Sequence, residues 1–125
     1  MSELTLRTND STQRSISILA GVIRRNSNNK WELLSDPGHH SIGLKTNITE
    51  PTDSSIQVNF DKKYSKVLTC SVTADETYAR SGFVFGGSCG FDKLIIYHSK
   101  AGAPTKNSDL SIAGSNIWIQ VMMFD

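Results

Sequence analysis

Gly86-Gly87-Ser88-Cys89-Gly90 is a Gly-x-Ser-x-Gly pentad, the one stretch of this chain that spells a catalytic motif. In serine hydrolases that spacing sets the serine on a tight turn between a buried strand and a helix, with an acid and a histidine held near it by a large α/β sheet. The strand is present as Phe83-Val84-Phe85, and Asp92 and His98 follow Ser88 in the chain order such enzymes use. The helix is not: Leu94-Ile95-Ile96-Tyr97 is a β-branched and aromatic run of strand length, with Pro104 soon after it. A chain of 125 residues also leaves no room for a full hydrolase sheet with helices on both faces. The pentad is therefore expected to be a bend or bulge between strands, and no catalytic residue is assigned. A small hydrolase using Ser88, His98 and Asp92 or Asp109 stays as the alternative.

The other clusters of reactive side chains read as structure. Asp36, His39 and His40 lie close in sequence, but neighbouring histidines on an extended chain point to opposite sides, and Pro37-Gly38 forbids a helical spacing. Asp75 and Glu76 are adjacent, whereas working carboxylate pairs face one another across a cleft. Arg24-Arg25 with Lys30, and Lys62-Lys63 with Lys66, lack interleaved aromatics and read as strand ends. Cys70 and Cys89 read as small buried thiols rather than a disulfide. No metal site and no cofactor are expected. Trp31, Trp118, Tyr64, Tyr78 and Tyr97 stand in or beside apolar runs and are expected to pack in the core; a carbohydrate-binding module with Trp31 or Tyr97 exposed is a further alternative.

The elements that position these residues are strands. Short alternating runs bounded by Gly, Pro, Asn, Asp or Ser recur along the chain, and no apolar stripe has helical spacing. They are 16–23, 31–34, 42–48, 56–60, 66–73, 82–85, 91–98 and 116–124, with turns at Asp36-Pro37-Gly38 and Glu50-Pro51-Thr52-Asp53. Ile56, Val58 and Phe60 share one face; Leu68, Cys70 and Val72 are placed toward the core. Asp75 to Arg80 is at most a short helical turn. The run Ile117 to Phe124 is apolar on both faces, so it must be covered on both, which points to oligomerisation. Residues 99–111 read as a long exposed loop, and residues 1–15 as a flexible arm before a single domain over 16–125.

These readings predict an all-β fold, an antiparallel β-sandwich of about eight strands, jelly-roll or immunoglobulin-like. Thirteen Lys and Arg against twelve Asp and Glu give a formal charge of +1 with no block of either sign, so no nucleic-acid partner is expected. The longest aliphatic stretch, Ile18 to Ile23, is too short to span a bilayer, and residues 1–15 lack the apolar segment of a secretory signal; no membrane insertion is expected.

From Trp31 onward a series of landmarks is ordered as in one family: Trp31-x-x-Leu34-x-Asp36, His39 to Gly43, Ile56-x-Val58-x-Phe60, Lys66-Val67, Val72-Thr73-x-Asp75-Glu76 and Gly82 to Gly90. In this the chain resembles small all-β domains encoded by phages and prophages of Bacillus and related Gram-positive hosts, found in tail-fibre and other virion appendage proteins. The resemblance covers rather more than half the chain. It implies a non-enzymatic structural or interaction protein that meets other phage structural proteins or a host surface receptor, commonly as a homo-oligomer, trimer or dimer. It also implies synthesis in the host cytoplasm, with the virion as the candidate destination. The chain departs from a typical fibre in having no long repetitive shaft. Rigid sandwich ends leave the loops at 47–55 and 99–111 as the expected contact surface.

Overall fold

In the computed structural model, residues 3–7, 13–35, 38–112 and 114–124 are described. The strands are β1 (Glu3–Arg7), β2 (Gln13–Arg25), β3 (Trp31–Leu33), β4 (Thr49–Thr52), β5 (Ser55–Asn59), β6 (Lys66–Ala74), β7 (Phe83–Cys89), β8 (Lys93–Lys100), β9 (Ala103–Pro104) and β10 (Ile117–Phe124). One short helix, α1 (Glu76–Arg80), and a 3-10 turn over Asn107–Leu110 complete the described elements. The strands form two five-stranded sheets. In the first the order is β1-β2-β10-β6, with β3 also on β2; in the second it is β4-β5-β8-β7, with β9 also on β8. All named pairings are antiparallel.

The fold is thus all-β and sandwich-like. β2 pairs with β10, and between them in sequence β5 pairs with β8, so one antiparallel pair encloses the other as in jelly-roll wrapping. The core lies between the sheets. Ile117, Ile119, Val121 and Met123 of β10 meet Ile56, Val58, Leu94 and Ile96 of the second sheet, all of them buried. Alternation dictates this, because a strand with one buried face must send every second side chain inward. Among the described residues no helix is long and apolar enough to cross a membrane.

Several expectations are corrected. The segment taken as a flexible arm contributes Glu3–Arg7, which pairs with Gln13–Ser17, so β2 starts three residues earlier than its apolar run. The predicted strand at 42–48 is broken into isolated bridges, Ile42 to Ala20 and Leu44 to Phe60, because Gly43 between them has a φ of 74°. The predicted turn at Glu50 to Asp53 moves on: Thr49–Thr52 is strand, and the chain reverses at Asp53-Ser54. Of the turn at Asp36-Pro37-Gly38, Asp36 and Pro37 lie outside the described residues. In β6 the register against β10 shifts between Met122 and Met123, so Val67 takes the core position and Leu68 is 42% exposed.

Candidate functional site

Because β7 and β8 pair in regular antiparallel register, the pentad is not a bend. Gly86, Gly87, Ser88 and Cys89 continue the strand, and the reversal comes after them, where the Gly90 N–H donates to Lys93 O at 2.8 Å. The inward and outward faces of β7 explain its composition. Phe83 and Phe85 pack against the core, and a Cβ on Gly87 would lie 3.0 Å from Leu94 Cδ1 and 3.2 Å from Val72 Cγ2, so that position is kept bare. Gly86, on the opposite face, has nothing within 4 Å of where its Cβ would stand.

Ser88 shares the outward parity of Gly86 and is exposed. His98 points the other way, buried at 4% exposure, with its ring 6.1 Å from that of Phe85. Its Nε2 lies 2.7 Å from Asn107 Oδ1, and its Nδ1 is 2.5 Å from Thr105 Oγ1. Asn107 Nδ2 donates to Thr52 O and Ser55 O, so Oδ1 is the acceptor and His98 Nε2 donates to it, while Nδ1 is paired with the Thr105 hydroxyl. Both ring nitrogens are committed to the scaffold. Asp109 is equally occupied, accepting the Lys106 N–H at 3.0 Å. Ser88, His98 and Asp109 are therefore not brought together.

The His98 and Asn107 pair fixes the two segments expected to be contact loops. Residues 99–111 are not an extended loop: they carry the end of β8, the short β9 and the 3-10 turn, and Asn107 N donates to Asp53 O at 2.6 Å. From beneath, Arg25 Nη1 donates to Asn107 O at 2.8 Å and to Ser111 Oγ at 2.9 Å, and its guanidinium lies 3.6 Å from Glu50. Trp31 Nε1 donates to the same Glu50 carboxylate at 2.8 Å, which places this tryptophan in the core and removes it as an exposed stacking residue. The Tyr78 hydroxyl donates to Leu110 O at 2.6 Å, and burial, with the Asp75 charge adding to it, pushes its pKa up to about 12.

What these anchors hold in place is a groove of about 600 Å³ on the outer face of the second sheet. Its floor is Val84 and Gly86 of β7 with Tyr97 and Ser99 of β8; its walls are Thr52 and Ser54 at the β4–β5 turn and Gly102 and Pro104 at the β8–β9 turn. Val84 is 64% exposed and Tyr97 50% exposed, so the expectation that every Tyr and Trp packs in the core fails at Tyr97, as it does at Trp118 on the other sheet. Among the described residues no Asp, Glu, Lys or Arg lines the groove. An uncharged floor of one aromatic ring and one aliphatic side chain, edged by hydroxyls and bare backbone, suits a neutral ligand with an apolar face.

The remaining clusters are structural. Asp75 caps α1, with Oδ1 accepting from Tyr78 N and Oδ2 accepting from Asn116 N at 2.7 Å. Arg24 Nε donates to Asn116 Oδ1 at 2.8 Å. His40 is exposed beside Trp118. Cys70 and Cys89 are free thiols, half-buried, one on each sheet; burial and the neighbouring Cys70 push the Cys89 thiol up to about 11. Asn107 and Thr105 carried no motif in the sequence. The signal was His98 itself, whose parity with Leu94 and Ile96 sends it into the core, where an imidazole must find partners. The chain matches no family model, and neither curated proteins nor solved structures yield a match.

Proposed function

We propose that the protein is a non-enzymatic binding module, a structural or interaction component of a phage or prophage particle of the kind its sequence resemblance implies, and that it takes its partner in the groove over Tyr97. The observation that carries this reading is the pairing of an open, uncharged groove with walls that are tied down: Thr52 and Ser54 stand on a turn held by Asn107, not on a free loop. A preorganised wall loses little entropy on binding, which is what a recognition surface needs. Partners are other phage structural proteins or a host surface receptor, and the chain acts as a homo-oligomer, with the outer face of the first sheet as the assembly surface. The hydrolase alternative finds no support in the opposed directions of Ser88 and His98.

The test is binding of the purified chain to host cells and to particles, compared with Gly86→Leu. That substitution fills the groove from a position with open space around it, so the fold is retained and binding falls at least about tenfold. Undiminished binding by Gly86→Leu would remove the groove from the mechanism. The exposed Tyr97 ring among hydroxyls also favours the carbohydrate-binding reading, now through Tyr97 and not Trp31. Under it, titration with host-wall polysaccharide shows binding that survives Tyr97→Phe and is lost in Tyr97→Ala.

A further inference from the structure

β6 and β7 are the edge strands of the first and second sheets, and they run against each other on one side of the sandwich without pairing. No backbone ladder joins them among the described residues, so the seam is held by side chains. Val72 and Cys70 of β6 lie over β7, with Cys70 Sγ 3.6 Å from where a Cβ on Gly87 would stand. Cys89 lies two positions further along β7 on the same inward face, its thiol donating to Gly90 O at 3.4 Å. The chain contains only these two cysteines, one on each side of the seam, and both are thiols of intermediate exposure.

We propose that Cys70 and Cys89 are a site of reversible oxidation, at which a low-molecular-weight disulfide such as oxidised glutathione converts the pair into a disulfide joining the two sheets. The step is thiol–disulfide exchange. One cysteine, as thiolate, attacks a sulfur of the glutathione disulfide, forming a mixed disulfide and releasing one glutathione. The second cysteine loses its proton and attacks the protein-bound sulfur, forming the S–S bond and releasing the second glutathione. The protein loses two electrons and two protons; one glutathione disulfide becomes two thiols. The bond closes a loop of about 20 residues that contains α1, so it restricts the unfolded chain and pins a seam that has no ladder. Because burial disfavours the Cys89 thiolate, exchange is slow, and a chain made in a thiol-rich compartment keeps the pair reduced until it meets an excess of disulfide. The site is independent of the groove on the outer face of the second sheet, so neither proposal rests on the other.

The test is a glutathione redox titration of the full chain, followed by acid quench and intact mass measurement, run on the folded protein and on the same chain in guanidinium chloride. The expected product is a monomer lighter by two hydrogens, converted back by dithiothreitol. Its half-oxidation point, as the ratio of squared reduced to oxidised glutathione, should lie at least about tenfold higher in the folded chain, because contact raises the effective thiol concentration. A Cys89→Ser chain should give a single glutathione adduct and no internal bond. Folded wild-type chain that accumulates glutathione adducts or cross-linked dimers without the internal disulfide would overturn the proposal, as would equal midpoints in the folded and unfolded states.

Discussion

Gly86 and Gly87 are chain neighbours with opposite reasons to lack a side chain. At Gly87 a methyl group meets Leu94 and Val72 at 3.0 and 3.2 Å, so Gly87→Ala should lower unfolding free energy by about 1–3 kcal/mol in a urea titration. At Gly86 the same substitution meets nothing and should change stability by less than about 0.5 kcal/mol while still intruding on the groove. Equal effects at the two positions would mean that β7 does not present these faces. The same logic applies to Asn107, whose side chain satisfies three groups at once: Thr52 O, Ser55 O and the His98 Nε2 proton. Asn107→Ala should cost about 1–3 kcal/mol and speed amide exchange across residues 52–55, since buried polar groups left without partners are expensive. None of this was visible in the pentad as a motif. Its glycines announced special backbone positions, but only the pairing of β7 with β8 says that one glycine is there for packing and the other for open space.

Elements were more legible than their registers. The alternation of Ile56, Val58 and Phe60 places them in the core where the structure has them, because nothing interrupts the period along β5. In β6 the same reasoning puts Leu68 inside, and a single bulge reverses it, since one extra residue flips the parity on one side of the irregularity. Residues 99–111 read as loop because their composition is polar, yet Asn107 and Leu110 are buried and Tyr78 of α1 binds the end of that turn. That contact has a consequence in alkali. The Tyr78 hydroxyl is raised from 10.0 to about 12 and the Cys89 thiol from 9.0 to about 11, both chiefly by burial, so the folded state favours the neutral forms. Their contribution is complete below pH 9 and is lost as pH rises through 11 and 12. Melting temperature should therefore hold level to about pH 9 and fall beyond it, with Cys89→Ser flattening the first part of the decline. A melting temperature that stays constant to pH 12 would contradict the burial of both groups.

At the scale of the whole molecule, two open faces lie back to back. The second sheet offers the groove over Tyr97; the first offers a shallow depression of about 290 Å³ whose lining includes Val22, His40, Thr73, Trp118 and Gln120. The two faces of β10 differ: Ile117, Ile119, Val121 and Met123 are buried against the second sheet, while on the other face Met122 and Phe124 are half-buried and Trp118, paired with Val22, is 42% exposed. An exposed Trp118 on that face is an apolar contact point for a neighbour, and a net charge of +1 sets up little repulsion between copies. Sedimentation velocity over a range of concentrations should accordingly show a dimer or trimer dissociating to monomer. Trp118→Arg should shift that equilibrium to monomer, because it buries a cation against an apolar face. Val84→Asp, on the opposite sheet, should leave association unchanged while weakening whatever the groove holds. If Trp118→Arg and the unaltered chain sediment alike, the first sheet is not the assembly surface; if Val84→Asp alone disrupts association, the groove is the contact between copies and not the place where a different partner docks.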